Sequence, residues 1–311
     1  MKNLKIFSEK DFPSYLPKLN QLYDDLFSSG KGFRSKLIQI VAEPLSLNLK
    51  QIHLLSQTIE FIHNASLLHD DLVDRSSLRR DKPAAWLKYS PEYAVLAGDY
   101  LLARVMVNLS RYGNLSLIQY TSEIISDLLE GEWIQDSLVG DVEIGLGELD
   151  QVHNLKTASL FKWCLRAPFI CAEDSRQQVH QTLEELGGIL GILFQRSDDL
   201  LDFDVRNTEK KAVLGDLKSG YLNSFGVFLT QHLVDKERQK IKDCKTIEQV
   251  WDFLGRERFN QAVESFDEMN RKIIELYFHY ANSLNELLVG DQKKLIKDLC
   301  QLPKPLYWRS V

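Results

Sequence analysis

LLHDDLVD at residues 67–74 and QRSDDLLD at residues 195–202 are the stretches from which the fold and chemistry of this chain can be predicted. Each contains the pattern D-D-x-x-D, and each ends a long apolar stretch with helical spacing. Residues four apart on an α-helix lie on one face, so Asp70 stacks with Asp74 and Asp198 with Asp202. Two facing helices of this kind would pool up to six carboxylates in one cavity: Asp70, Asp71, Asp74, Asp198, Asp199 and Asp202.

These carboxylates require a counter-charge, because like charges in a medium of low dielectric repel one another or raise each other's pKa. Oxygen ligands without His or Cys favour Mg²⁺. Mg²⁺ held by a few carboxylates keeps positions open for water and substrate phosphates. The alternative interpretation is that the acidic residues lie on solvated helix faces. Two copies of the pattern, each at the end of an apolar helix, favour the metal site.

The composition is that of an ordinary globular protein with ample length for a large core. The chain has 311 residues, of which 44% are hydrophobic and 26% charged, with a net charge of -6 and a pI near 5.7. This acidic balance argues against a nucleic-acid partner, since nucleic-acid-binding domains usually carry a basic surplus. No apolar run reaches the roughly 20 residues of a transmembrane helix, and the N-terminus lacks the apolar core of a signal peptide.

The cysteines indicate the redox environment of the protein. They form neither a C-x-x-C pair nor a zinc-binding spacing. We therefore expect reduced core thiols and a cytoplasmic protein. The residues concerned are Cys164, Cys171, Cys244 and Cys300.

Apolar residues recur at helical spacing along most of the chain, strand-like alternation is scarce, and only 16 glycines and 8 prolines interrupt the pattern. The sequence therefore predicts an all-α fold, and the lack of a linker predicts a single domain over residues 1–311. Predicted helices span residues 13–28, 34–45, 50–74, 92–111, 115–138, 147–172 and 178–203. We expect loops at 75–91 and 206–220, amphipathic scaffold helices over 221–300, and an irregular tail at 303–311.

Basic residues near the acidic trios are candidates for binding anions. Lys31 and Arg34 follow a glycine-containing break, where free backbone N–H groups favour an anion; a basic turn is the simpler alternative. Arg79 and Arg80 follow the first trio, and guanidinium groups match phosphate oxygens in bidentate fashion; a solvated pair is the alternative. The loop that contains Lys211 and several glycines is a candidate lid over phosphates.

His63 and Lys156 each admit two interpretations. His63 lies two turns before Asp70 on the same helix face, yet a single histidine in such a place is more often a core residue than a ligand. Lys156 lies among apolar neighbours, where a lysine can simply extend its charged end to solvent.

Taken in order, these patterns resemble the trans-isoprenyl diphosphate synthases, also called the polyprenyl synthetase family, over roughly residues 25 to 285. Gly30-Lys31-x-x-Arg34 resembles the G-K-x-x-R of the family. His63 precedes Asp70-Asp71-x-x-Asp74 as it does in the family, and Arg79-Arg80 follows as the arginine pair.

The second half of the chain continues the resemblance in the same order. Ala97-Gly98-Asp99 and Lys156-Thr157 fall at family landmarks. Phe194-Gln195-x-x-Asp198-Asp199-x-x-Asp202 is similar to the second aspartate-rich motif. Lys211 precedes Asp216-Leu217 by five residues, as in the lid of the family.

The resemblance implies an all-α bundle around a deep central cavity, usually in a homodimer. It implies three Mg²⁺ ions on the diphosphate of an allylic substrate, held by Asp70, Asp74 and Asp198 and supported by Asp71, Asp199 and Asp202. The side chains that would complete this grip are Arg79, Lys156 and Lys211. Those that would bind the diphosphate of isopentenyl diphosphate are Lys31, Arg34, His63 and Arg80. Thr157 and Gln195 would turn lone pairs toward the forming cation.

The implied chemistry agrees with the residue types. Diphosphate leaves only when its charge is neutralised, and metal ions with cationic side chains supply that neutralisation. The allylic group departs as a carbocation, the double bond of isopentenyl diphosphate attacks it, and a proton is lost to the released diphosphate. No side-chain nucleophile is needed, and the chain offers no convincing Ser/His/Asp or Cys/His arrangement.

Ala65, Ser66 and Ile62 are the candidates for setting product length. Ser66 and Ile62 lie at successive turns below Asp70, about 5.4 Å apart. Ala65 and Ser66 are small where farnesyl-type members of the family carry aromatic rings. We expect a product of geranylgeranyl length or longer, and Ala65→Phe should shorten it.

The lid departs from the family pattern, because Gly220-Tyr221-Leu222-Asn223 replaces a second Gly-Lys followed two residues later by Thr. Tyr221 lacks the charge of that lysine, for which Lys218 could compensate. A catalytically weak or inactive regulatory subunit is therefore one alternative. A class I terpene cyclase is another, although cyclases rarely keep two D-D-x-x-D patterns. An HD-type phosphohydrolase and a di-iron bundle would need spaced histidines that this chain does not supply.

Overall fold

A computed structural model describes residues 10–27, 32–79, 82–203, 205 and 213–308, with side chains up to residue 22 in the first of these ranges. Within these ranges the chain is almost entirely helical. The β-structure described there is one antiparallel pair of strands with two residues in each strand. The predicted all-α fold is confirmed. No helix in the described ranges combines the length and the apolarity needed to cross a membrane.

The first half of the chain forms α1 (Pro17–Phe27), α2 (Phe33–Ala42), a 3₁₀ turn (Glu43–Leu45), α3 (Leu49–Val73), β1 (Leu78–Arg79), β2 (Lys82–Pro83), α4 (Ala85–Lys88), α5 (Pro91–Tyr112), α6 (Leu115–Ser137) and α7 (Leu146–His153). The second half forms a π-helical segment (Asn154–Ala158), α8 (Ser159–Cys171), α9 (Gln177–Asp202), α10 (Gly215–Lys218), α11 (Ser224–Thr230), α12 (Asp235–Lys242), α13 (Ile247–Leu254), α14 (Arg256–Leu287), a 3₁₀ turn (Gly290–Lys293), α15 (Lys294–Leu299) and α16 (Pro303–Trp308).

Two compact units make up the chain, and each contains several chain segments. Unit 1 comprises Met1–Ser126, Trp163–His180 and Val289–Leu295, and unit 2 comprises Asp127–Lys162, Gln181–Leu288 and Ile296–Val311. The first acidic trio therefore belongs to unit 1 and the second to unit 2. That the whole chain is a single domain stays a prediction.

In unit 1, the helix that carries the first trio begins with a capping box. The side chain of Asn48 accepts hydrogen bonds from the N–H groups of Lys50 (3.0 Å) and Gln51 (3.1 Å), and the Gln51 side chain accepts one from the N–H of Asn48 (2.9 Å). These bonds satisfy donors that the first turn of a helix leaves without partners. Further along, α3 packs closely on α5, because a Cβ at Gly98 would overlap the imidazole of His69.

In unit 2, an aromatic cluster lies directly behind the second trio. The ring of Phe225 lies 5.2 Å from that of Phe203, 5.4 Å from that of Phe266 and 5.7 Å from that of Phe259, each edge to face. Edge-to-face pairs of this kind add to the stability from burial alone. Phe203 follows Asp202 in the chain, so this core holds the end of α9 in place.

The predicted helix boundaries agree with the structure within a few residues, with four differences. The predicted loop over 206–220 contains α10 (Gly215–Lys218). The single helix predicted over 147–172 is α7, a π-helical segment and α8. The predicted loop over 75–91 contains the hairpin and α4, and the tail over 303–311 was wrongly predicted to be irregular, since it contains α16. A five-residue π-helical segment has almost the same apolar periodicity as an α-helix, so the pattern alone does not reveal it.

Candidate active site

The first trio ends α3. Asp70 is partly exposed and Asp71 is buried, while Asp74 is exposed at the C-cap position. The backbone N–H of Asp74 donates to the carbonyl of Asp70 at 2.8 Å, and Ser76 N–H donates to the carbonyl of Asp71 at 2.9 Å. The chain then turns through Arg75, whose φ is 52°. The three carboxylates therefore meet different surroundings, although they share one helix end.

Asp71 and Arg79 form a bidentate ion pair. The Nε of Arg79 donates to Oδ1 and Oδ2 of Asp71 at 2.9 and 3.1 Å, and its Nη2 also donates to Oδ1. The Asp71 side chain is 5% exposed and that of Arg79 is 39% exposed. The structure thus joins one predicted metal ligand to one predicted diphosphate ligand through strong, directional hydrogen bonds.

A cavity of about 340 Å³ lies beside this ion pair in unit 1. Asn64, Leu67 and Leu68 of α3 form one wall, and the basic side chains Lys82 and Lys88 lie at another. Ile62, Ala65 and Ser66 do not line this cavity. It runs along a different face of α3 from the one predicted to set product length.

The other candidates of unit 1 that the structure describes lie on α2 and α3. Arg34 is partly exposed in the first turn of α2, and its carbonyl accepts a weak hydrogen bond from the Cys164 thiol at 3.8 Å. His63 is also partly exposed, and its carbonyl accepts a hydrogen bond from the Ser66 hydroxyl at 2.9 Å. Ile62 and Ala65 are buried, at 1% and 0% exposure. Lys31 and Arg80 lie outside the described residues.

In the second trio, Asp199 is almost completely buried and accepts hydrogen bonds from three donors. The backbone N–H of Ser224 donates to Oδ2 at 2.9 Å, and the hydroxyl of Ser224 donates to the same oxygen. The Nε2 of Gln195 donates to Oδ1 at 3.0 Å. These bonds fix the carboxylate, while Asp198 one residue earlier keeps part of its surface exposed.

Asp202 connects α9 to the second half of the predicted lid loop at 206–220. Its Oδ1 accepts a hydrogen bond from Gly215 N–H at 2.6 Å, and its Oδ2 accepts one from Asp216 N–H at 3.3 Å. Asn223 Nδ2 then donates to Oδ2 of Asp216 at 2.8 Å. The third carboxylate of the trio therefore anchors α10, which lies within the predicted lid loop at 206–220.

Burial shifts the pKa values of two carboxyl groups of this trio, Asp199 and Asp202. It raises the pKa of Asp199 to about 6, although the hydrogen bonds from Ser224 and Gln195 act in the opposite direction. Burial, with the nearby charge of Asp216, also raises the pKa of Asp202. Carboxyl groups in such surroundings gain stability in their charged form when a cation binds beside them.

Gln195, Thr157 and Lys156 also belong to unit 2. The hydroxyl of Thr157 donates to Oε1 of Gln195 at 3.1 Å, so a hydrogen-bonded chain runs from Thr157 through Gln195 to Asp199. Lys156 forms an ion pair with Glu132, and both side chains are mostly buried. Lys156 and Thr157 lie in the π-helical segment, a conformation that is frequent at functional sites.

Tyr221, the departure from the family lid, is largely buried. Its hydroxyl has no hydrogen-bond partner among the described residues. Burial raises the pKa of Tyr221, and the nearby charges of Asp199, Asp216 and Glu132 raise it further, so the phenol stays protonated. Lys218 is exposed, and its ammonium donates to the carbonyl of Val213 at 2.8 Å. Lys211 lies outside the described residues.

The donor set of the trios fits Mg²⁺ in its chemistry, since it consists of carboxylate oxygens. In the part of the chain that the structure describes, no three His, Cys, Asp or Glu side chains are gathered closely enough to hold an ion by themselves. Mg²⁺ is commonly bound by one or two carboxylates together with substrate phosphates and water. The protein would therefore supply part of the coordination and the substrate the rest.

Sequence reasoning missed the residues that support the second trio from other helices. Asn223 and Ser224 stand at the start of α11, where the Asn223 side chain caps the helix by accepting from Gly226 N–H at 3.0 Å. His153 on α7 has Nε2 at 3.8 Å from Oδ2 of Asp199, and burial lowers the pKa of His153 to about 4, so the ring is neutral at pH 7. Asn-Ser ahead of an apolar run is a helix-start signal, but nothing in the sequence assigns it to Asp199.

Solved structures share this fold. The decaprenyl diphosphate synthase of Rhodobacter capsulatus superposes with a TM-score of 0.76 over 95% of this chain and 91% of that chain, at 24% identity. The geranylgeranyl pyrophosphate synthetase of Pyrococcus horikoshii superposes with a TM-score of 0.83 over 98% of this chain and 94% of that chain, at 20% identity. The fold is therefore that of the all-α isoprenyl diphosphate synthases.

The sequence comparisons identify the family. Residues 16–265 match the family model described as polyprenyl synthetase. The decaprenyl-diphosphate synthase of Dictyostelium discoideum is 34% identical over 234 residues, which are 74% of this chain and 50% of that protein. The octaprenyl diphosphate synthase of Escherichia coli (strain K12) is 32% identical over 199 residues, which are 64% of this chain and 61% of that protein. This chain thus matches about half to three fifths of these relatives' lengths, and it belongs to the polyprenyl synthetase family.

Proposed function

We propose that this chain is a trans-prenyltransferase, which joins isopentenyl diphosphate to an allylic diphosphate and releases inorganic diphosphate. The proposal rests on family membership together with one structural feature that the two acidic trios of this chain share. In each trio the middle carboxylate is fixed by donors of the protein, Asp71 by Arg79 and Asp199 by Ser224 and Gln195. Asp70, Asp74 and Asp198 keep exposed surface with which to bind an ion.

Asp70, Asp74 and Asp198 would be the principal Mg²⁺ ligands, with three ions per site. Asp71, Asp199 and Asp202 would orient them through the hydrogen bonds described above. Bound Mg²⁺ supplies neutralisation of the negative charge that develops on the departing diphosphate. The carboxylates of the protein would fill only part of the coordination sphere of each Mg²⁺. We therefore expect bound Mg²⁺ to strengthen the binding of diphosphate, and bound diphosphate to strengthen the binding of Mg²⁺.

The basic residues would hold the two diphosphates. Arg79 is paired with Asp71, and Lys156 with Glu132. A phosphate group would compete for these cations, which are already positioned by their carboxylates. The proposal extends to Lys211 for the allylic diphosphate, and to Lys31, Arg34, His63 and Arg80 for isopentenyl diphosphate.

In the reaction, the allylic C–O bond to diphosphate breaks and leaves a resonance-stabilised cation. The double bond of isopentenyl diphosphate forms the new C–C bond, and the proton that is lost passes to the released diphosphate. Gln195 donates its amide N–H to Asp199, which keeps its carbonyl oxygen oriented the other way. That oxygen and the hydroxyl of Thr157 would direct lone pairs toward the cation.

We infer a product of geranylgeranyl length or longer. The names of the relatives support this, since they include decaprenyl, octaprenyl and solanesyl diphosphate synthases. Ala65 is small and fully buried one residue before Ser66 on α3, so a phenylalanine there would take up space beside the helix face that carries Ile62, Ser66 and Asp70. Ala65→Phe should shorten the product, and an unchanged product mass would contradict this assignment.

We also propose that the chain forms a homodimer and works in the cytoplasm. Trp133 and Leu129 lie one turn apart on α6, and they are 78% and 50% exposed. Large apolar side chains grouped on a surface are typical of an interface. The four cysteines are free thiols, in agreement with a reducing compartment.

The decisive experiment supplies the full chain with Mg²⁺, isopentenyl diphosphate and allylic diphosphates of increasing length, and measures product mass. We expect polyprenyl diphosphates, with turnover lowered about a hundredfold in Asp198→Asn because one charge that holds the metal is lost. Asp252→Asn, an exposed aspartate of α13, is the matched control and should keep full turnover.

Two other outcomes would contradict the proposal. Failure of the purified chain to elongate any primer would favour the regulatory-subunit alternative. Formation of a cyclic hydrocarbon from one allylic diphosphate, without consumption of isopentenyl diphosphate, would favour a terpene cyclase.

A further inference from the structure

A polar network built on three buried side chains of unit 2, those of Arg196, Asn270 and Tyr307, connects the C-terminal helix to the helix of the second trio. Arg196 is 3% exposed and lies two residues before Asp198 on α9. Its Nη2 donates to both carboxylate oxygens of Asp150 on α7, at 2.8 and 2.9 Å. Its Nη1 donates to Oδ1 of Asn270 on α14 at 2.8 Å. One guanidinium therefore joins three helices.

Asn270 carries the connection onward to α16. It is fully buried, and its Nδ2 donates to the carbonyl of Phe266 at 2.8 Å and to the hydroxyl of Tyr307 at 3.1 Å. Because both of these acceptors engage the amide nitrogen, Oδ1 must face Arg196. The hydroxyl of Tyr307 donates in turn to Oδ1 of Asp267 at 2.7 Å. We call these five residues the Arg196 network: Asp150, Arg196, Asp267, Asn270 and Tyr307.

Burying a guanidinium is unfavourable unless its donors are paired. An apolar side chain at the same place on α9 would avoid that penalty. The network is therefore better explained by a role in orienting α9 than by a contribution to the stability of the fold. Arg196 lies one helical turn before Asp199 and Leu200. Fixing Arg196 between α7 and α14 fixes the rotation of α9 about its axis, and therefore the direction of the Asp198 and Asp202 side chains.

We propose that Arg196, Asn270 and Tyr307 are positioning residues for the second trio, through which the C-terminal helix α16 sets the affinity of that trio for Mg²⁺ and diphosphate. None of the three contacts substrate in the proposed reaction. The inference rests on the metal-binding part of the proposed function.

Calorimetric titration of inorganic diphosphate into the full chain, at a fixed and subsaturating Mg²⁺ concentration, tests this without requiring turnover. Tyr307→Phe removes the hydroxyl that orients Asn270, and we expect the diphosphate Kd to rise about fivefold, less than the 10–100-fold typical of a group bonded directly to a metal ligand. Tyr277→Phe is the matched control. Tyr277 is also fully buried in unit 2, and its hydroxyl donates to the carbonyl of Leu299 at 3.1 Å, away from the Arg196 network.

The outcomes separate this inference from the proposed function. If Asp198→Asn weakens binding but Tyr307→Phe binds like the wild type or like Tyr277→Phe, the positioning role is wrong and the metal site stands. If the wild type shows no Mg²⁺-dependent binding of diphosphate, the metal site itself is wrong and the inference falls with it.

A second variant tests the same proposal if Tyr307→Phe folds poorly. The double substitution Asp150→Leu and Arg196→Leu replaces both charges with apolar groups, which usually preserves stability better than the loss of one partner. We expect it to raise the diphosphate Kd at least as much as Tyr307→Phe. Wild-type affinity in a folded double variant would overturn the proposal.

Discussion

At the scale of residues, the carboxylates of one D-D-x-x-D pattern differ in what holds them. Asp199 accepts three hydrogen bonds and is buried, whereas Asp198 keeps exposed surface. The same division separates Asp71, which is paired with Arg79, from Asp70 and Asp74. A repeated sequence pattern thus contains supporting and ligand-facing positions that the pattern itself does not distinguish.

Ser224→Ala tests the supporting role. The variant loses the hydroxyl donor to a buried carboxylate, and we expect the free energy of unfolding at pH 8 to fall by about 2 kcal/mol, as for hydrogen bonds to charged groups. Urea denaturation followed by circular dichroism measures the change. Ser110→Ala, at an exposed position of α5, should leave stability within about 0.5 kcal/mol. If the two variants are equally stable, Ser224 does not support the second trio.

At the scale of elements, the π-helical segment Asn154–Ala158 depends on close neighbours in unit 2. A Cβ at Gly191 would overlap the backbone of Ala158, and a Cβ at Gly131 would lie 3.0 Å from the backbone nitrogen of Lys156. Glycines on α9 and α6 therefore allow the segment with Lys156 and Thr157 to lie against these helices. The segment is held by packing rather than by its own propensity.

Gly191→Ala should therefore shift this segment. We expect the free energy of unfolding to fall by about 1–3 kcal/mol from overpacking, and prenyl transfer to slow because Thr157 moves relative to Gln195. Gly147→Ala is the matched control, since a Cβ at Gly147 on α7 meets nothing within 4 Å. That control should gain up to about 1 kcal/mol, because alanine is favoured over glycine in a helix. A stable and fully active Gly191→Ala variant would contradict the packing argument.

At the scale of the whole molecule, the exposed apolar side chains of α6 bear on assembly. Trp133→Glu should convert the proposed dimer to a monomer, because a charge would be buried at an apolar contact without a partner. Sedimentation velocity or light scattering gives the mass. Leu115→Glu, an equally accessible leucine at 76% exposure in the first turn of the same helix, should leave the dimer intact. An unchanged mass for Trp133→Glu would place any interface elsewhere.

Sequence alone determined the helical class, most helix boundaries and the family, and it singled out the six aspartates that we propose to be the metal site. These follow from local signals: the 3.6-residue periodicity and the spacing within D-D-x-x-D. Each can be read from residues that are close together in the chain.

Tertiary structure decided which partner each polar group meets. The pairings of Asp199 with Ser224 and of Arg196 with Asn270 join residues that are far apart in the chain. No periodicity encodes such contacts, because they depend on how helices pack around buried groups that must find hydrogen-bond partners. For the same reason, the conformation of the π-helical segment and the polar contacts of the C-terminal helix α16 could not be predicted from the sequence. Both depend on the neighbours against which these segments pack.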